Sequence, residues 1–153
     1  MKSWKVEKMK QTIDEIQQEI IDEFSMYDDW MDKYAVIIEQ GNALEPIDEK
    51  YKIPENIIEG CQSRVWLQTD YRDGKLWFQA ESDAIIVKGL LALVLRVFNG
   101  RTPDEIVNTD LRFMKEIGLT DHLSPTRSNG LLSVIKQIRF YAIAYKAKND
   151  SMI

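Results

Sequence analysis

Ile13, Ile16, Ile20, Phe24 and Tyr27 recur at intervals of three and four, the spacing that lines up apolar side chains on one face of a helix. Thr12 and Glu15 form a capping-box pair at its start, the hydroxyl covering one orphan backbone N–H and the carboxylate reaching back to another. Asp28 and Asp29 are placed to open a second helix through Trp30, Tyr34, Ile37 and Ile38, with Gly41 expected to end it in a left-handed conformation. Leu44 to Pro54, with two prolines and several charges, reads as a connection long enough to cover something.

The period then drops to two. Val65, Leu67 and Tyr71 fall on one face of a strand, and Arg64, Trp66, Gln68 and Asp70 on the other. Asp73-Gly74 predicts a hairpin turn, and Leu76, Phe78 and Ala80 line one face of the returning strand. Ile57-Ile58 is expected to add a third, shorter strand. The predicted class is therefore α+β: a small antiparallel three-stranded sheet covered by helices on one side.

Ser82 or Asp83 is expected to cap the next helix, whose Ile85, Ile86, Leu90, Leu93, Val94, Val97 and Phe98 mark it as the central buried element, stopped by Asn99-Gly100. Thr102-Pro103-Asp104-Glu105 is a second capping box with proline at the first helical position. After a short helix, another is expected over Leu111 to Ile117, ended by Gly118. Ser124-Pro125 opens the last helix, whose Leu131, Val134, Ile135, Ile138, Tyr141, Ala142 and Tyr145 form an apolar stripe.

Composition narrows the function classes. The 153 residues suit one domain spanning 1–153, with residues 1–10 loosely held. A net charge of −5 argues against a general nucleic-acid binder, which needs clustered Lys and Arg. Charge is also segregated: Lys33 is the one base between Thr12 and Glu49, and no acid occurs from His122 to Asn149. Attraction between the first and last helices is the plain reading, and a docking face for a protein the sharper one. No signal peptide or membrane-length apolar run is visible, so a cytoplasmic protein without membrane attachment is expected.

One cysteine, Cys61, excludes an internal disulfide and makes a zinc or iron–sulfur site within the chain unexpected. It lies in a glycine-led polar break, Gly60-Cys61-Gln62-Ser63, between Ile57-Ile58 and the first long strand, which favours a working thiol over a small buried hydrophobe. Arg127 sits in the first turn of the last helix, where the helix dipole disfavours a cation. It is a candidate to stabilise a thiolate or persulfide at Cys61, the alternative being an ion pair with Asp83, Asp121 or another acid. Asp83 is a weaker site candidate, because Asp at a helix start is an ordinary cap. His122, the one histidine, reads as structural more readily than as a base.

Four ordered motifs then carry a resemblance. They are Gly60-Cys61-Gln62-Ser63-Arg64-Val65-Trp66, Ser82-Asp83-Ala84-Ile85-Ile86-Val87-Lys88-Gly89-Leu90, Asn99-Gly100-Arg101-Thr102-Pro103-Asp104-Glu105-Ile106, and Gly118-Leu119 with His122 to Leu131. Together they resemble the SufE-like sulfur acceptors, the Fe–S metabolism-associated domains, from about Phe24 to the last helix. The resemblance implies a fold similar to the iron–sulfur scaffold proteins. It implies a carrier that takes sulfur from a pyridoxal-phosphate cysteine desulfurase, stimulates that enzyme, and passes the sulfur to an iron–sulfur scaffold complex. Cys61 matches the family's sulfur-accepting cysteine. The carrier would hold neither pyridoxal phosphate nor a cluster and would not be a stand-alone enzyme; a homodimer is left open. The competing classes are a cysteine-dependent hydrolase, which would need a base near Cys61, and a non-catalytic binding module.

Overall fold

The computed structural model describes residues 11–61 and 63–151. The expected looseness of residues 1–10, and Gln62 of the cysteine motif, lie outside the described residues. In chain order the elements are α1 (Ile13–Ser25), α2 (Trp30–Asn42), two single 3-10 turns (Glu49–Tyr51 and Pro54–Asn56), β1 (Val65–Arg72), β2 (Lys75–Ser82), α3 (Ile85–Phe98), α4 (Pro103–Val107), α5 (Phe113–Glu116), α6 (Leu119–His122) and α7 (Pro125–Ser151).

The caps form as the local chemistry dictates. Thr12 with Glu15, and Thr102 with Glu105, close reciprocal capping boxes, and the Asp29 carboxylate accepts from the Met31 N–H at the start of α2. The hairpin turn has positive φ at both Asp73 (54°) and Gly74 (78°), the requirement of a two-residue type I′ turn. It sets the antiparallel register Arg72↔Lys75, Tyr71↔Leu76, Thr69↔Phe78, Leu67↔Ala80 and Val65↔Ser82. Val65, Leu67, Leu76, Phe78 and Ala80 are buried beneath the sheet, and Tyr71 stacks on Tyr145 of α7 at 4.8 Å between ring centroids.

The sheet has two strands among the described residues, not three. Ile57 makes a single bridge to Trp66, with the Ile58 N–H donating to the Val65 carbonyl, before Gly60 (φ +89°) turns the chain away. Pairing stops there because Gly60 lies against α7. The connection before it covers the outer face of the hairpin: the Ile47 N–H donates to the Glu81 carboxylate, Lys52 pairs with Glu81 at 2.7 Å, and Asn56 donates to Gln68. Lys52 and Arg64 lie over the ring of Trp66 and Arg72 over that of Trp77, so these tryptophans are taken up in packing.

α3 is the central helix, with Leu90 through Leu95, Val97 and Phe98 buried. Its first turn departs from expectation: Ile85 is 63% exposed, and Ile86 and Val87 are half-buried. Gly41 also differs from its expected role. α2 runs on to Asn42, and Gly41 instead lets α2 cross α3 at Gly89. A Cβ on Gly41 would meet the Gly89 nitrogen at 2.7 Å, and one on Gly89 would run into the Ile37 carbonyl oxygen.

Among the described residues, no ion pair is seen between the acidic helices α1 and α2 and the basic last helix. Glu23 holds Arg96 on α3 at 2.7 Å and Asp14 holds Arg112 at 2.9 Å, while Lys146 of α7 pairs with Asp104 of α4. α7 buries its apolar stripe mainly against α3 and α4, while α1 and α2 pack on α3. That stripe is buried as its spacing predicts, through Leu131, Val134, Ile135, Ile138 and Ala142.

Candidate functional site

Cys61 lies where the chain leaves the Ile57 bridge and before it enters β1. Gly60 permits the turn. Its left-handed φ suits glycine, and a Cβ there would stand 2.8 Å from the Ser133 hydroxyl of α7. The loop is thereby pressed onto the first turns of α7. Gly130 presents no side chain to it, so the Cys61 sulfur sits against that backbone, and the thiol donates to the Gly130 carbonyl at 3.4 Å.

The sulfur is half-buried on the wall of a cleft of about 410 Å³. Val87, Leu90 and Leu91 of α3 form one side. Leu131 and Val134 of α7 form another. Ser63, Ser124, Thr126 and Arg127 supply the polar mouth. The open first turn of α3 is thus one wall of the site. Burial raises the Cys61 thiol above its ordinary value of 9.0, so the resting group is the protonated thiol, as its hydrogen bond to a carbonyl requires.

The expected site residues are only partly brought together. Arg127 lines the same cleft as Cys61. Its backbone N–H donates to the Ser124 hydroxyl, which caps α7, and among the described residues its guanidinium has no acidic partner. The ion pair with Asp83 or Asp121 is therefore not formed. Asp83 does not line the cleft. Its carboxylate accepts from the Arg64 N–H at 3.2 Å, tying the exit of the cysteine loop to the start of α3. Nor does it cap α3, whose cap position is Ala84; the Ser82 hydroxyl instead accepts from the Ala84 N–H. His122 does not line the cleft. Its ring stacks on Trp30 at 3.9 Å, and its Nδ1 lies 3.0 Å from the Gly118 carbonyl oxygen.

Leu90 and Leu131 read from sequence as helix-core positions, not as site walls, and Val87 and Leu91 carry no separate signal of their role. Ser133 carries none either, since its part is a contact with a glycine 73 positions earlier in the chain.

A small α+β domain with one sheltered cysteine in an apolar cleft that Arg127 also lines belongs to the class of Fe-S metabolism associated domains: that family matches residues 18–142. The chain is a member of the SufE family. It is 44% identical over 126 residues to an uncharacterised SufE-like protein of Rhizobium meliloti, an alignment covering 79% of this chain and 90% of the relative. Its fold matches the solution structure of a hypothetical protein from Thermus thermophilus with a TM-score of 0.70 and 17% identity, over 84% of this chain and 94% of that one. Among the described residues no helix is long and apolar enough to cross a membrane.

Proposed function

We propose that this protein is a sulfur acceptor and carrier working with a cysteine desulfurase, and that Cys61 is the atom that holds the sulfur. The observation that carries this reading is the placement of the one thiol on the wall of an apolar cleft that Arg127 also lines. In the transfer, Cys61 loses its proton and its thiolate attacks the terminal sulfur of the desulfurase's cysteine persulfide. One S–S bond forms to Cys61 and one breaks, and the desulfurase cysteine leaves as a thiolate. No outside oxidant or reductant is consumed.

The cleft suits both halves of a carrier's task. Apolar walls keep reductants from the persulfide, while Arg127 offers a positive charge to the thiolate or persulfide anion as it forms. Asp83 acts as a positioning residue through Arg64. The raised thiol describes a docked, unreactive resting state; contact with the desulfurase draws the loop outward, where the thiolate forms more readily. Cytoplasmic iron–sulfur scaffold complexes are the onward acceptor in this reading, and the chain carries sulfur without a resident cofactor of its own.

The hydrolase alternative needs a base at Cys61, and the one histidine is engaged with Trp30 and Gly118. A binding module with an incidental cysteine would keep its function in a Cys61→Ser variant. The deciding test is mass spectrometry after mixing with a cysteine desulfurase and cysteine. A gain of one or more sulfur atoms on Cys61, absent in Cys61→Ser, is expected; no gain on an accessible thiol would refute the carrier.

A further inference from the structure

We propose that the open edge of β1, with the groove beside it, is a docking site for an extended peptide segment of a partner protein, one that carries basic side chains and pairs with the edge as a third strand. The site lies outside the Cys61 cleft and does not rest on the sulfur-carrier reading.

The two edges of the hairpin differ. On β2, the Leu76 N–H donates to the Arg101 carbonyl and the Leu76 carbonyl accepts from the Gly100 N–H. The Asn99 side chain accepts from the Phe78 N–H and donates to the Phe78 carbonyl, so that edge is sealed. On β1, the Val65 carbonyl accepts from the Ile58 N–H. The backbone groups of Val65, and of every second residue from it to Tyr71, therefore face away from β2. The Ile57 bridge at Trp66 covers the near end. Beyond it the Gln68 side-chain amide donates to the Thr69 carbonyl, and the N–H groups of Thr69 and Tyr71 have no partner among the described residues. The Thr69 hydroxyl is buried, also without a partner. A bare row of main-chain donors and acceptors is a template for a further strand.

A groove of about 340 Å³ lies where that strand would run. The chain before Ile57 does not continue along β1, because Pro54–Asn56 coils into a 3-10 turn whose Asn56 side chain donates to Gln68. The vacated position beside Leu67 is the groove. Its lining includes Pro54, Glu55, Ile57 and Leu67, with Gln137 and Tyr141 from α7. One helical turn further along α7, Tyr145 stacks on Tyr71, so the helix runs beside the edge from Leu67 to Tyr71. Ile57, Leu67 and Tyr141 suit an apolar residue of the incoming strand, and the free main-chain groups supply affinity by strand addition.

Charge selects the occupant. The charged residues that line the groove are Glu55 and Glu59, both exposed and neither with a basic partner among the described residues. Lys52 is held by Glu49 and Glu81 on the outer face of the hairpin, and Arg72 at the far end of β1 is held by Asp70. A lysine or arginine on the incoming strand therefore has two free carboxylates to meet, and opposite charge also speeds the encounter. A second copy pairing through the same edge would add its own Glu55 and Glu59 to the interface and no lining base. Ile58 and Glu59 of the groove lead into Gly60 and Cys61, so a protein anchored there sits beside the cysteine loop.

The test uses the full chain and, as probe, a short capped peptide of alternating lysine and valine. NMR reads amide hydrogen exchange residue by residue, and a titration gives the Kd. Thr69 and Tyr71 are expected to exchange freely in the protein alone and to be slowed about tenfold or more at saturating peptide. The same peptide, N-methylated on the groups that would pair, should give no slowing. A peptide of alternating glutamate and valine should bind about tenfold more weakly. Glu55→Lys combined with Glu59→Lys should reverse that preference with an unchanged thermal melt. No slowing at about millimolar lysine–valine peptide overturns the site, and equal binding of the two peptides overturns its proposed occupant. Protection of Thr69 and Tyr71 already present in the free protein also overturns the proposal: if it rises with protein concentration the edge belongs to a second copy, and if it does not, to a segment of the same chain. Cys61 enters none of these measurements, so their failure leaves the sulfur carrier standing.

Discussion

Gly60→Ala isolates the docking of the cysteine loop from the stability of the fold. In the docked loop this residue has φ +89°, and an added Cβ would stand 2.8 Å from the Ser133 Oγ. Holding alanine in the left-handed region costs about 1–2 kcal/mol. Ser133 cannot turn away freely, because its hydroxyl donates to the Asn129 carbonyl at 3.0 Å. Losing that bond adds about 1 kcal/mol. Both costs fall on the docked loop and vanish once it swings free, so the docked–undocked equilibrium should shift by about 2–3 kcal/mol, roughly 30- to 150-fold. Read as the alkylation rate of Cys61 by iodoacetamide at one fixed pH, the variant should react faster by about that factor, up to the rate of an unhindered thiol. Adding Ser133→Ala removes the hydroxyl contact and should return part of the protection. The thermal melt should change little, since the loop opens locally. An alkylation rate within twofold of wild type, with folding intact, would refute the claim that this contact shelters the sulfur.

Three further outcomes follow from the same geometry. Gly89→Ala sets a methyl against the backbone of Ile37, where no side chain can rotate aside; overpacking at the upper end of its usual range, about 2–3 kcal/mol, less the helix-propensity gain of about 1, predicts a net loss of about 1–2 kcal/mol, and an unchanged or raised Tm in calorimetry would contradict it. Arg127→Ala should slow sulfur uptake about tenfold with unaltered circular dichroism, and wild-type uptake would return Arg127 to a structural role. Because burial favours the neutral thiol, the stability it contributes is complete below the ordinary value of 9.0 and is lost as pH rises through the higher folded value. Alkylation of the free protein should therefore climb only above pH 9, with less than about 1% thiolate at pH 7; a midpoint near neutrality would show an activated thiol in the resting state.

Features whose energy is local can be read ahead of the fold. Two capping boxes, the Asp73-Gly74 turn, Gly100 and Gly118 at positive φ, and the inward stripe of α7 all depend on residues within a few positions of one another. Cys61 stands out for a similar reason: a thiol in a glycine-led polar break is a local anomaly. Features that depend on partners distant in sequence are misread. Gly41 looks like a helix stop because glycine often is one, yet its small size answers to Gly89. Asp83 looks like a cap, but the strand-to-helix connection aims its carboxylate at Arg64. The exposure of Leu132, Phe140 and Ile143 stays hidden because an inward stripe on the same helix already satisfies the expected pattern.

By itself, then, the chain specifies most of its helices, its hairpin, its register and the local setting of its one thiol, because each follows from short-range backbone chemistry and the alternation of polar and apolar side chains. Only the assembled tertiary structure determines that this atom rests in a cleft between α3 and α7, that its proton is retained there, and that Arg127 shares the cleft with no carboxylate partner among the described residues. Those properties are set by burial and by the distance between side chains brought in from separate elements, quantities that exist only once α3, α7 and the cysteine loop have packed together.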